Sequence, residues 1–144
     1  MKPIPLNKQE LNALITKMPF NHHLGLKVTR VWADGITLEC AILDTFRNGL
    51  GTLHGGVTAT LVDVAAGLAT IGFSGGRAAT TVELKTNYLR PAVHGKVHAR
   101  SRIRKAGKTL TFVEVEIKDD HGHLVATGTA TYMTLEGGFP GVKG

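Results

Sequence analysis

Asn48-Gly49-Leu50-Gly51-Thr52-Leu53-His54-Gly55-Gly56 runs without a break into Val57-Thr58-Ala59-Thr60-Leu61-Val62-Asp63-Val64-Ala65-Ala66-Gly67-Leu68-Ala69. The first nine residues read as a glycine-rich turn bearing an asparagine and a histidine. The rest is apolar on nearly every helical face, and such a helix must be buried on most sides. This predicts a long helix over about 54–72. One carboxylate, Asp63, stands in its middle. Burying an ionised carboxylate costs several kcal/mol unless it is paired or hydrogen-bonded. Asp63 is therefore either a structural acid with partners elsewhere in the chain or a group placed for chemistry.

The flanking sequence supplies what could bury that helix. Asn7 and Glu10 have the spacing of a helix cap. Leu11, Leu14, Ile15 and Met18 follow at i, i+3, i+4 and i+7, so a helix over about 7–18 is expected, stopped by Pro19. Strands are predicted over 24–32 and 36–43, joined by the Ala33-Asp34-Gly35 turn. Gly75-Gly76 closes the long helix. Further strands are predicted over 80–90, 96–105, 108–118 and 124–135, the middle pair joined at Ala106-Gly107. Residues 136–144 are rich in Gly and Pro and are expected to form a frayed tail. Two strands, one apolar helix and four strands give a single α+β domain over 1–144. An antiparallel sheet wrapped around a central helix satisfies the helix's need for cover.

Bulk properties narrow the classes. Of 144 residues 42% are hydrophobic, enough for a real core. Asp63 interrupts the longest apolar run, so no membrane span is expected. Residues 1–7 lack an apolar signal core, which makes a cytoplasmic protein the expectation. The lone Cys40 cannot form an intrachain disulfide, and in an alternating apolar stretch it reads as a small buried hydrophobe. A net charge of +6 invites a polyanionic partner or a phosphate-bearing ligand. Interleaved aromatics are absent, which leaves nucleic-acid stacking unsupported. The seven histidines are scattered over loops and strand ends, which gives a metal site little support.

The chemistry gathers at the helix. At its start, Gly55 and Gly56 present amides with no intrahelical partner, in the positive field of the helix dipole. A carbonyl oxygen can approach such a pair closely, as an oxyanion hole requires. Asn48 and His54 flank it. His54 and Asp63 are nine residues apart, roughly 13 Å along the helix. That is too far for both to act on one carbonyl, so joint action requires two subunits, with helices antiparallel about a two-fold axis. Thr80 and Thr81 open the next strand. Either hydroxyl could orient a carboxylate or a water, and ordinary strand preference explains both equally well. His98, Arg100, Arg102 and Arg104 alternate along one strand face, with Glu114 and Glu116 placed to oppose them. That row reads as a solvated charge ladder. The sharper alternative is phosphate binding by Arg90, Arg104, Lys105 and Lys108. The helix face and residues 46–53 are the expected pocket lining.

Asn48, His54-Gly55-Gly56 and Asp63, followed by Thr81-Val82-Glu83-Leu84 and Tyr88-Leu89-Arg90-Pro91-Ala92, resemble the hotdog-fold acyl-CoA thioesterases of the PaaI-like group. The resemblance spans roughly residues 20–135, including the Gly107 hairpin and the 124–130 strand. It implies a hotdog fold, side-by-side dimers paired into tetramers, and hydrolysis of an acyl-CoA thioester. It implies that the Gly55 amide polarises the carbonyl and that the partner subunit's Asp63 activates water or attacks directly. Asn48 and His54 would place the water or the thioester, Thr81 would hold the water, and Gly56 would join the substrate contacts. No cofactor is implied, since coenzyme A is part of the substrate. Two alternatives stand: a hotdog hydratase or dehydratase, and a non-catalytic acyl-CoA binding module that would not need Asp63.

Overall fold

The computed structural model describes residues 5–140. Asn7 caps α1 (Lys8–Thr16): its Oδ1 accepts the Glu10 amide at 2.9 Å, and its own amide donates to Glu10 Oε1 at 3.4 Å. The apolar stripe buries Leu11, Leu14 and Ile15. Pro19 does not simply stop the chain. It opens a second, short helix, α2 (Pro19–His23), as its first residue. Proline suits that position because it has no amide hydrogen to leave unpaired. The first strand consequently begins at Lys27 rather than at residue 24.

Six strands follow: β1 (Lys27–Trp32), β2 (Gly35–Ala41), β3 (Arg77–Tyr88), β4 (Lys96–Ala106), β5 (Leu110–Asp119) and β6 (Leu124–Gly138). They form one antiparallel sheet in the order β1-β2-β4-β5-β6-β3. The long helix, α3 (Gly55–Phe73), lies against β2, β3, β4, β5 and β6. This is the sheet-wrapped helix expected of a hotdog fold. By length and composition α3 is apolar enough to cross a membrane even with Asp63 in its middle. Twelve of its nineteen residues are instead buried under the sheet. Gly128 on β6 makes close approach possible. A Cβ there would lie 2.6 Å from Val62 Cγ1 and 2.8 Å from the Lys85 carbonyl oxygen.

The carboxyl end departs from the expected frayed tail. β3 starts at Arg77, three residues early, which gives Gly138 of β6 a partner. Phe139 then donates its amide to the Gly76 carbonyl at 2.7 Å and packs on the core. The remainder of that tail, residues 141–144, lies outside the described residues.

The two edges of the sheet differ. On β1, the Asn12 side chain of α1 accepts the Val28 amide at 2.8 Å and donates to the Val28 carbonyl at 2.9 Å, imitating a neighbouring strand. The outer edge of β3 has no strand beside it among the described residues, and it exposes Val82, Leu84 and Tyr88.

On the outer face the charge ladder forms diagonally. Register sets Arg102 opposite Glu114 and Arg100 opposite Glu116. The ion pairs are Arg102–Glu116 at 3.2 Å and Arg104–Glu114 at 2.8 Å. Arg100 turns instead to Asp34 at 2.6 Å and lies over Trp32. Cys40 is buried, and burial pushes its thiol up to about 11, consistent with an inert core residue.

Candidate active site

The start of α3 is built almost entirely from local contacts. Asn48 Oδ1 accepts the amides of Leu50 at 2.9 Å and Thr52 at 3.1 Å, while Nδ2 donates to Thr52 Oγ1 at 2.9 Å. The side chain thus folds the turn and keeps one amide hydrogen in reserve. His54 is the N-cap: its Nδ1 accepts the Gly56 amide at 2.8 Å. An accepting Nδ1 leaves the ring hydrogen on Nε2 in the neutral form. This changes the expectation of two exposed glycine amides. That of Gly56 is held by the cap, because a histidine at the N-cap reaches the second amide of the helix. That of Gly55 has no partner among the described residues. Tyr88 closes over it, donating its hydroxyl to the Gly55 carbonyl at 2.7 Å. A cavity of about 310 Å³ lies here, walled by Asn48, Leu53, Gly55, Tyr88 and Arg90.

The middle of α3 is built from distant contacts. Thr81 Oγ1, on β3, donates to Asp63 Oδ1 at 2.7 Å. Tyr132, on β6, brings its hydroxyl to 2.6 Å from the same oxygen and 2.8 Å from the Asp63 carbonyl. Burial first, and the charge of Asp63 second, push the Tyr132 hydroxyl well above the ordinary tyrosine range. A second cavity, about 250 Å³, adjoins these groups and continues between Leu68, Ile71, Phe139 and Met18. Its wall includes Thr80, which makes no bond to Asp63, so the structure distinguishes the two threonines. Of the expected 46–53 lining, Asn48, Thr52 and Leu53 reach the first cavity, whereas Phe46 is buried in the core.

Tyr132 is the residue the sequence reading passed over. Its signal was present: a phenol at an inward-facing position of a core strand needs a hydrogen-bond partner, and Asp63 was the one charge already inside.

Gly55 and Asp63 are eight residues apart on one helix, about 12 Å along its axis. They open on different cavities of the protomer. The basic residues also divide. Arg90 walls the Gly55 cavity and a neighbouring one of about 220 Å³ shared with His94, His121 and His123. Lys105 and Lys108 flank the β4–β5 turn, at the other end of the sheet. Arg104 is there too, committed to Glu114. The four do not converge within one chain. Among the described residues no three or more His, Cys, Asp or Glu side chains gather to hold a metal ion.

Comparison with known proteins matches residues 50–126 to the thioesterase superfamily. Acyl-coenzyme A thioesterase 13 of Mus musculus is 33% identical, covering 91% of this chain and 96% of that protein. The medium/long-chain acyl-CoA thioesterase YigI of Escherichia coli is 31% identical over 81% of this chain and 85% of its own. The solved structure of the E. coli PaaI protein superposes with a TM-score of 0.81, covering 92% of this chain and 98% of that one; at 21% identity it speaks to the fold alone.

Proposed function

The chain belongs to the thioesterase superfamily and is a thioester hydrolase of the hotdog fold, and from that premise we propose that it hydrolyses an acyl-coenzyme A to the free acid and coenzyme A. The observation that carries this reading is Asp63. It is a carboxylate in the middle of a buried helix, held by two hydroxyls and bordering a cavity. A core needs no such charge, whereas thioester hydrolysis needs a base.

In this mechanism the Gly55 amide, aided by the helix dipole, donates to the thioester carbonyl oxygen as negative charge develops there. Asp63 takes a proton from water as the water oxygen bonds to the carbonyl carbon, or bonds to that carbon itself. The C–S bond then breaks and its electron pair leaves on sulfur; in the second case this gives a mixed anhydride that water then hydrolyses. A thiolate is a good leaving group, so one base and one oxyanion donor suffice. His54, through Nε2, and the remaining amide hydrogen of Asn48 place the water or the thioester. Thr81 holds Asp63. Gly56 contributes the backbone of the cap.

The separation of Gly55 from Asp63 supports a site built by two chains. The bare β3 edge is the surface we assign to that union. An open strand edge with exposed Val82 and Leu84 is a template for pairing. Antiparallel pairing of β3 with its mate lays the two α3 helices antiparallel, so each Gly55 faces the partner's Asp63. Such dimers pair again into tetramers in this reading. The acyl group occupies the apolar cavity beside Asp63. Arg90 meets the phosphates of coenzyme A, and Lys105 and Lys108 reach a site only from a neighbouring chain. No tightly bound cofactor is required, and the working compartment is the cytoplasm.

The test is thiol release from a panel of acyl-CoA esters varying in length and ring content. Thiol release that disappears in Asp63→Asn while acyl-CoA still binds supports the reading. Binding without hydrolysis by the unaltered protein makes it a binding module instead. Consumption of an enoyl-CoA without thiol release makes it a hydratase.

A further inference from the structure

Tyr132 does more than fill space beside the reacting acid. Its hydroxyl has one hydrogen and two oxygens in range, Asp63 Oδ1 at 2.6 Å and the Asp63 carbonyl at 2.8 Å. An ionised carboxylate is the stronger acceptor, and the carbonyl already serves the helix ladder. The hydrogen therefore goes to Oδ1. Thr81 donates to that same oxygen at 2.7 Å. Two hydroxyls from two different strands converge on Oδ1, while no described residue donates to Oδ2. Raised far above its ordinary value, the phenol stays protonated and remains a donor throughout any working pH.

The helix is cut to admit this contact. A Cβ at Gly67, one turn beyond Asp63, would lie 2.6 Å from Tyr132 Oη and 2.9 Å from Cζ. The backbone of Gly67 does not have a positive φ, so its conformation does not call for glycine. The close approach of the phenol does.

We propose that Tyr132, admitted by Gly67, is a positioning residue that joins Thr81 in pinning Oδ1 of Asp63 and so assigns the reaction to Oδ2. This inference rests on the reading of Asp63 as the reacting acid. A carboxylate on a helix can rotate about both side-chain torsions, and an oxygen that acts as base must stay within hydrogen-bond reach of the water it deprotonates. Anchors on two strands remove that rotation. Oδ2 then receives the water proton as the new C–O bond forms. The proton passes on to the departing thiolate, which restores the carboxylate.

The experiment is steady-state kinetics of the full-length protein with an acyl-CoA it hydrolyses. Tyr132→Phe keeps the ring and removes only the hydroxyl. The expected result is a fall in kcat of about tenfold or more with KM changed less than about twofold, because an orienting contact is lost and no substrate contact is. Gly67→Ala should give the same split by displacing the phenol. Thr81→Val should also give it, and Thr81→Ser should restore the rate, which a merely structural threonine would not require. An unchanged kcat in Tyr132→Phe, or a Thr81→Val loss that serine does not repair, overturns the proposal. Asp63→Asn separates the two levels. If it keeps full turnover, the reading of Asp63 falls and the clamp with it. If it abolishes turnover while Tyr132→Phe does not reduce it, only the clamp falls. Should Tyr132→Phe fail to fold, the Thr81→Val and Thr81→Ser pair decides alone.

Discussion

The two functional stations of α3 are built in opposite ways. At the first turn, most contacts that shape the site lie close in sequence, Asn48 to Thr52 and His54 to Gly56, with Tyr88 over Gly55 the exception. At the middle, Asp63 is held by residues 18 and 69 positions away. The first station is a piece of backbone geometry and presents a donor. The second is a tertiary assembly and presents an acid. A donor can come from a loop because the helix itself orients the amide. A half-buried acid cannot, because its carboxylate must be hydrogen-bonded by partners before the middle of the helix will accept it.

The comparison is broken most sharply by Asp63→Asn. If the middle station carries the reaction, kcat falls at least about 100-fold while acyl-CoA binding persists. Stopped assays of thiol release and equilibrium binding measure the two separately. Next comes the β3 edge. Leu84→Lys places a charge on an exposed strand and should yield protomers whose activity is lost with the dimer, with sizing and assay at matched concentrations as the measurement. An active monomer would place both stations within one chain after all.

A smaller effect is expected at the first station. Asn48→Ala removes three hydrogen bonds of the turn. It should cost about 1–2 kcal/mol of stability by chemical denaturation and raise KM more than it lowers kcat. Arg90→Ala should raise KM for acyl-CoA several-fold but leave a thioester lacking phosphates unaffected. Arg104→Ala should change KM less than about twofold, since that guanidinium is an exposed ladder member.

The smallest effect concerns neither station. The hydrogen bond to His98 first, and that from the Lys96 amide second, hold Asp120 below the usual aspartate range. A depressed carboxylate stabilises the fold above its unfolded-state value and loses that contribution as pH falls through its folded value. Asp120→Asn should therefore melt slightly lower than the parent at neutral pH. The two curves should converge at pH below about 4.

How much of this could be read beforehand follows from the same contrast. The glycine-rich turn, the helix start and the isolation of Asp63 were legible because they are matters of spacing along one segment. The six strands and the wrapped helix were legible from alternation and from a helix with no polar face. Spacing left Thr80 and Thr81 equally open, the family resemblance pointed to Thr81, and the register of β3 is what sets Thr81 against Asp63. Tyr132 was not seen to belong to the site, because nothing in sequence says which inward position on β6 lies across from residue 63. The Gly56 amide departs from expectation for a local reason: a histidine at the helix start can cap the second amide as readily as it can serve a substrate. Pro19 both ends one helix and starts the next, because proline is as suited to a first helical position as it is unsuited to an interior one. The carboxyl-terminal strand runs past its glycines because the early start of β3 offers them a pairing edge that local composition does not reveal.

One feature of the fold reaches back to the moment of synthesis. The ribosome completes α3 when only β1 and β2 exist, and the four strands that will cover the rest of it follow in the next 65 residues, 74–138. During that interval the nascent chain displays a helix apolar enough for a lipid bilayer, with only β2 of its five covering strands made. Its shelter cannot close until β6 slots between β5 and β3, a late event that pairs residues far apart in the chain. Emerging chains of this protein are thus natural clients for factors that hold exposed apolar segments, and substitutions in β6 should register in yield of soluble product before they register in the finished enzyme.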